Sequence, residues 1–170
     1  MLPESLGGYT IGVLVQTNYG GILEIDGVQV GQKLHKHDFV DHVRRTQNVD
    51  GSCMMVVITD APLDSRNLER VAKRAMMGLA KTGGIASNGS GDYVIALSVA
   101  PENLISDNAT TLTTTVLANS QMSPIFAATI EATAEALWNS LFMAQSMTGR
   151  DGYHVDSLPV EEVLEMLRNR

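Results

Sequence analysis

The sequence predicts a layered α/β fold, and three features carry that expectation. Strand-like runs rich in β-branched and aliphatic residues stand at 9–16, 53–59 and 93–99. Helical periodicity separates and follows the later ones, over about 65–82 and 124–147. The second of these helices is apolar nearly all round (Ile125, Phe126, Ala127, Ala128, Ile130, Leu137, Trp138, Leu141, Phe142, Met143), the pattern of a helix buried between layers. Together they favour sheet packed on sheet with helices outside. The chain has 170 residues, 44% of them apolar and 18% charged, which suits one domain with one well-buried core.

The elements follow in order. Residues 9–16, Y-T-I-G-V-L-V-Q, read as a strand, and Thr17-Asn18-Tyr19-Gly20-Gly21 as the turn that ends it. Residues 22–30 alternate around Asp26-Gly27, a pair favoured in two-residue hairpins. The polar stretch 33–50 has three histidines and no period, so it reads as a loop with a short helix near 38–45. Residues 53–59 form an unbroken apolar run closed by Asp60-Ala61-Pro62, as expected of a strand buried on both faces. Leu68, Val71, Ala72, Ala75, Met76, Leu79 and Ala80 recur at helical spacing, with Asp64 or Ser65 to cap the start and Gly83-Gly84 to end the helix. The threonine-rich stretch 109–117 reads as extended. The long helix should begin with Ser123 as cap and Pro124 in the first helical position, and stop before Gly149. A last short helix follows Pro159 on Val160, Val163, Leu164 and Leu167.

Composition narrows the function. A net charge of −7 is the wrong sign for a nucleic-acid binder. No apolar run approaches a membrane span. One cysteine excludes an internal disulfide framework and any multi-cysteine zinc ribbon. The start, M-L-P-E-S, has neither the basic nor the apolar region of a signal peptide, so a soluble cytoplasmic domain is expected.

Several residue groups could carry chemistry. In D-G-S-C-M-M-V-V (50–57) a polar loop ends in Gly51-Ser52 and a buried strand begins at once. Glycine there permits a strained turn and close approach to its carbonyl, and the serine stands at the mouth of a rigid element. Were the Gly51–Ser52 bond cut, Ser52 would gain an α-amine of unperturbed pKa about 8 beside its own hydroxyl, a general base near neutrality. An ordinary loop-to-strand junction has the same dipeptide. Cys53 is the rival nucleophile. It must face the opposite side of the strand from Ser52, and beside Met54-Met55 it reads as a small buried hydrophobe. The loop G-G-I-A-S-N-G-S-G-D (83–92) lacks the Gly-Lys-Ser/Thr ending of a phosphate loop. Its Ser90 and Asp92 are two apart at a strand start, so they could point the same way as a hydrogen-bond relay, or belong to a plain loop after a helix cap. Asn18, after a buried strand, can be an oxyanion donor or only a turn residue. His35, His37 and His42 near Asp38 and Asp41 could bind a metal or belong to a solvated loop. Arg66, Arg70, Lys73 and Arg74 fall on one side of the first helix and read as its solvent face. The nine methionines read as core filler.

Four stretches taken together resemble the DmpA-type aminopeptidases, which include L-aminopeptidase/D-amidase-esterases and β-peptidyl aminopeptidases. They are G-Y-T-I-G-V-L-V-Q-T-N-Y-G (8–20), D-G-S-C-M-M-V-V-I-T-D-A-P-L (50–63), G-G-I-A-S-N-G-S-G-D-Y-V-I-A (83–96) and M-T-G-R-D-G (147–152), in family order across most of the chain. The resemblance implies a four-layer αββα sandwich similar to the N-terminal-nucleophile (Ntn) hydrolases. It implies self-cleavage between Gly51 and Ser52, leaving 1–51 as the end of an α piece and 52–170 as a β piece. Ser52 would be the nucleophile and its new amine the base, Asn18 the oxyanion donor, and Ser90 and Asp92 the serine-and-acid pair near the nucleophile. No metal or organic cofactor is implied. The substrate would be a small peptide, amide or ester, and the assembly a homo-oligomer, with neither nucleic acid nor membrane as partner. Family members carry a much longer segment before the nucleophile than the 51 residues here. The resemblance therefore implies a missing N-terminal α portion that supplies further strands and much of the substrate pocket. Two other expectations stand beside the aminopeptidase: a non-catalytic remnant or assembly subunit of such an enzyme, and an acyltransferase. The related ornithine acetyltransferases use a threonine nucleophile, so Ser52 points to the peptidase branch.

Overall fold

A computed structural model describes residues 1–39 and 51–169. The chain forms strand β1 (Ile11–Asn18), the single helical turn α1 (Val30–Lys33), β2 (Ser52–Thr59), helix α2 (Ser65–Lys81), β3 (Tyr93–Ser98), helix α3 (Met122–Phe142), the short pair β4 (Met147–Thr148) and β5 (His154–Val155), and helix α4 (Val160–Arg168). The main sheet has the order β1-β2-β3, antiparallel between β1 and β2 and parallel between β2 and β3. Helix α2 is the crossover that the parallel pair requires.

The helices cover one face of this sheet. Ile11, Cys53, Met55 and Val57 point into a core completed by Val71, Ala75 and Leu79 of α2 and Met122, Ile125 and Leu137 of α3. The opposite face is bare: Leu14 is 70% exposed, Tyr93 64% and Ile95 57%, and Met54, Ile58 and Leu97 lie open beside them. The sequence led us to expect β2 buried on both faces. Its burial instead alternates, because among the described residues no second layer covers the outer face. The α/β class stands, and among the described residues it consists of one helix layer on a three-stranded sheet, with the short β4–β5 pair apart from it.

Local chemistry sets the element ends. Asp64 caps α2 by accepting the Asn67 N–H at 2.8 Å, and Gly83 ends it with φ +91°. Asp26 and Gly27 take φ values of +47° and +79°, and Ile25 and Val28 exchange hydrogen bonds at 3.0 and 2.9 Å, so the expected hairpin is a two-residue turn with a single bridge. Helix α3 differs from expectation at both ends. It starts at Met122 after a 3₁₀ turn, so Ser123 lies inside the helix and does not cap it. It stops at Phe142 because burial runs out at the exposed Met143, and the backbone of 147–148 pairs with 154–155 instead. The threonine-rich stretch forms no strand; the Asn103 amide brackets the Thr115 backbone through two bonds of 2.9 Å. A second cluster, Ile25, Val28, Val30 and Val163, packs with Trp138, whose indole N–H donates to the Glu24 carbonyl at 3.0 Å. No helix among the described residues is long and apolar enough to cross a membrane.

Beside the shared core, an aromatic stack and a close crossing also join α2 to α3. Arg70 and Arg74, expected on a plain solvent face, stack their guanidinium groups over the Phe126 ring at 4.9 and 4.0 Å. Gly78 lets the helices approach closely, since a Cβ there would lie 2.6 Å from Thr133 Cβ and 2.8 Å from the Ile130 carbonyl oxygen. Gly78→Ala should therefore lower unfolding stability by about 1–3 kcal/mol, although alanine alone favours a helix by about 1 kcal/mol. Urea unfolding measures this, and a more stable variant would mean the crossing is looser than described.

Candidate functional site

The site is built at one end of the sheet. In the antiparallel register Asn18, the last residue of β1, stands directly opposite Ser52, the first of β2. Strand alternation sends both side chains to the bare face. Gly51 is wedged just before Ser52: a Cβ on it would lie 2.8 Å from the Asn18 carbonyl oxygen, 2.9 Å from Tyr19 Cα and 3.3 Å from the Gly20 nitrogen. No larger residue fits that seat without moving backbone. The Ser52 hydroxyl donates to the Gly51 carbonyl oxygen at 2.7 Å.

The loop before β3 closes the other side of Ser52. The Gly91 N–H donates to the same Gly51 oxygen at 3.3 Å, and a Cβ on Gly91 would lie 3.4 Å from Ser52 Oγ. Ser90 and Asp92 flank Gly91. Their Oγ and Oδ1 atoms are buried and have no hydrogen-bond partner among the described residues. Native folds seldom leave buried polar atoms unmatched, and these two lie beside a candidate nucleophile. Asp92 also makes itself felt on the core side. Burial, followed by the Asp92 charge, pushes the Cys53 thiol up to about 11. Burial raises the Tyr19 phenol as well, against the lowering effect of its 2.8 Å hydrogen bond with the Thr82 hydroxyl, with smaller contributions from Cys53 and Asp92.

The four residues singled out from the sequence thus gather at one sheet end, Asn18 and Ser52 as strand partners, and Ser90 and Asp92 around the glycine that touches Ser52. Cys53 is fully buried on the opposite face with a raised pKa, so it is no rival. Sequence reasoning overlooked Gly91 and the Tyr19–Thr82 pair. Gly91 carried no signal beyond its place between Ser90 and Asp92, and Tyr19 read only as part of a turn. A cleft of about 720 Å³ opens beside Asn18, lined also by Tyr19, His35, His37, Leu141 and Val155. His42 and Asp41 of the candidate metal cluster lie outside the described residues. Among the described ones no three His, Cys, Asp or Glu side chains come together to hold an ion. His37 Nδ1 accepts the Phe39 N–H at 3.3 Å.

A mixed sheet with helices on one face and a Gly-Ser junction at its end makes this an α/β protein, and solved structures place it with the Ntn-hydrolase-like aminopeptidases. The chain superposes on a Burkholderia sp. β-aminopeptidase with TM-score 0.81 and 32% identity, covering 99% of this chain and 46% of that one. It superposes on the L-aminopeptidase D-Ala-esterase/amidase of Ochrobactrum anthropi, described as a variant of the Ntn hydrolase fold, with TM-score 0.78 and 32% identity over 96% of this chain and 45% of that one. Residues 1–155 match peptidase family S58, and the chain belongs to that family. Among curated relatives, the β-peptidyl aminopeptidase BapA of Sphingosinicella microcystinivorans is 37% identical over 94% of this chain and 43% of its own length. The chain spans less than half the length of these relatives.

The raised Cys53 pKa gives a direct check on which face of β2 meets solvent. At pH 8 the folded thiol is almost wholly protonated, so alkylation by iodoacetamide should be on the order of a hundredfold slower than in the urea-unfolded chain. Equal rates would put Cys53 at the surface.

Proposed function

We propose that this chain carries the nucleophile-bearing portion of a self-processing N-terminal-serine aminopeptidase or amidase, which releases N-terminal residues from small peptides, amides or esters. The observation that carries the reading is the Ser52 hydroxyl, 2.7 Å from the carbonyl oxygen of the Gly51–Ser52 bond and opposite Asn18. Self-cleavage there leaves pieces of 51 and 119 residues, 1–51 and 52–170, held together by the β1–β2 pairing. Ser52 then presents a hydroxyl and an α-amine on one residue. The amine, with an unperturbed pKa of about 8, takes the hydroxyl proton. The hydroxyl oxygen attacks the carbonyl after the substrate's first residue, and the Asn18 amide meets the oxyanion. The proton passes to the leaving amine, and water hydrolyses the acyl-enzyme. Ser90 and Asp92 are half-buried, and their buried Oγ and Oδ1 atoms are the groups this reading assigns to hydrogen bonding beside the nucleophile.

A second portion is part of this reading. The relatives are more than twice as long, and the bare apolar face beside Ser52 is where a further sheet would pack, giving the four-layer sandwich and the rest of the substrate pocket. The same face supports a second reading, in which this chain is a non-catalytic assembly subunit.

Intact mass separates the two. The purified chain should resolve into pieces of 51 and 119 residues, whereas Ser52→Ala stays whole. A clean cut in Ser52→Ala refutes self-processing, and an uncut native chain favours the assembly subunit. Asn18→Ala should keep its thermal stability and lose about 100- to 1,000-fold in kcat on aminoacyl amides, the usual effect of one missing oxyanion donor. An unchanged turnover number would remove Asn18 from the reaction.

A further inference from the structure

The carbonyl that self-processing must polarise already has a backbone donor trained on it. The Gly51 oxygen receives the Gly91 N–H at 3.3 Å together with the Ser52 hydroxyl at 2.7 Å. Gly91 reaches it from the β3 side of the sheet, because β2 lies between β1 and β3. A planar trans peptide turns the Gly51 C=O and the Ser52 N–H in opposite directions. With the carbonyl turned to Gly91, the nitrogen that must leave is turned towards β1. The geometry assigns to the Gly91 N–H the role of oxyanion donor in the self-processing step. This inference rests on the self-processing reading given above.

The step balances without any outside reagent until the last stage. Ser52 Oγ bonds to the Gly51 carbonyl carbon, and the carbonyl electron pair moves onto the oxygen facing Gly91. The C–N bond between Gly51 and Ser52 then breaks, and the hydroxyl proton goes to the leaving nitrogen. The product is an ester with a free α-amine on Ser52, and water hydrolyses it to the Gly51 carboxylate and the Ser52 hydroxyl. The donor is suited to the task because it is main chain and fixed before the reaction, held by a turn in which the Ser90 N–H donates to the Ser87 carbonyl at 2.8 Å. A Cβ at Gly91 would meet Ser52 Oγ at 3.4 Å, ordinary van der Waals contact, so the part assigned to Gly91 rests on its N–H and not on the missing side chain.

The test replaces the Gly91 N–H by an ester oxygen in the full-length chain, by semisynthesis, and follows cutting at Gly51–Ser52 by intact mass. Cutting should slow by about 100-fold or more relative to the all-amide chain. The same exchange at Gly89, which is exposed two residues earlier, should leave the rate unchanged. An ester at Gly91 that cuts at the all-amide rate, or an equal loss from the Gly89 ester, overturns the assignment and leaves self-processing standing. An all-amide chain that stays whole overturns both. A direct reading of the bond guards against an ester chain that folds badly. In Ser52→Ala, which keeps the Gly51 carbonyl in place, NMR should detect a scalar coupling between the Gly91 nitrogen and the Gly51 carbonyl carbon. A Gly91 amide with no such coupling and unprotected exchange overturns the assignment on its own.

Discussion

The site depends on one fit, the seating of the Gly51 backbone against Asn18, Tyr19 and Gly20 at the end of the β1–β2 pair. That fit is held by the core and not by the site itself. Cys53, Met55 and Val57 bury one face of β2 under α2 and α3, and Ile11 does the same for β1. A one-residue slip would turn this whole set outwards and carry Ser52 into the core. Fully burying one such side chain is worth about 1.5–3 kcal/mol, so the register is enforced several times over. The hydrophobic pattern thus decides that Ser52, and not Cys53, faces outwards at the sheet end. The site residues inherit their positions from it.

The second constraint is the unbalanced sheet. Helices cover one face, while Leu14, Met54, Ile58, Tyr93, Ile95 and Leu97 leave the other apolar and open. A strand that buries only one face normally alternates apolar and polar residues. Here β2 reads S-C-M-M-V-V-I-T and offers carbon to both sides. The composition of the strand is that of a sheet with a layer on each face, and the described residues supply one of them. The relatives are more than twice as long as this chain, and under the function proposed above a further portion supplies the other.

Much of this was legible in the sequence, for physical reasons that can be named. Helix α2 was clear because its cap, period and glycine stop agree locally. The Asp26-Gly27 turn was clear because few other pairs accept two left-handed residues in succession. The end of α3 was not, because apolar residues continue to Met143 and only tertiary burial says where they stop being useful. Ser52, Asn18, Ser90 and Asp92 could be named from motifs, but their convergence is a matter of register and crossover that no local pattern states. Gly91 and Tyr19 were invisible for the opposite reason. One acts through a backbone N–H and the other through a tie to Thr82, so neither residue type announces its part.

The two constraints meet at Ser52. Its side chain emerges on the same face as Leu14, Met54, Ile58 and Ile95, at the edge of the bare apolar surface. Any layer that settles on those side chains must also close over the hydroxyl, because strand alternation gives the two no separate faces. Enclosure removes water from Asn18 and from the Gly51 carbonyl, and electrostatic donors act more strongly where water is excluded. Covering the sheet and sharpening the site are then one physical event. A chain of this design, with its face open, holds Asn18 and Ser52 in register but leaves them in a wet, high-dielectric setting. Under the proposed function its chemistry should therefore follow the burial of its sheet, because the hydrophobic energy that would bring a further layer onto this face would also exclude water from Ser52.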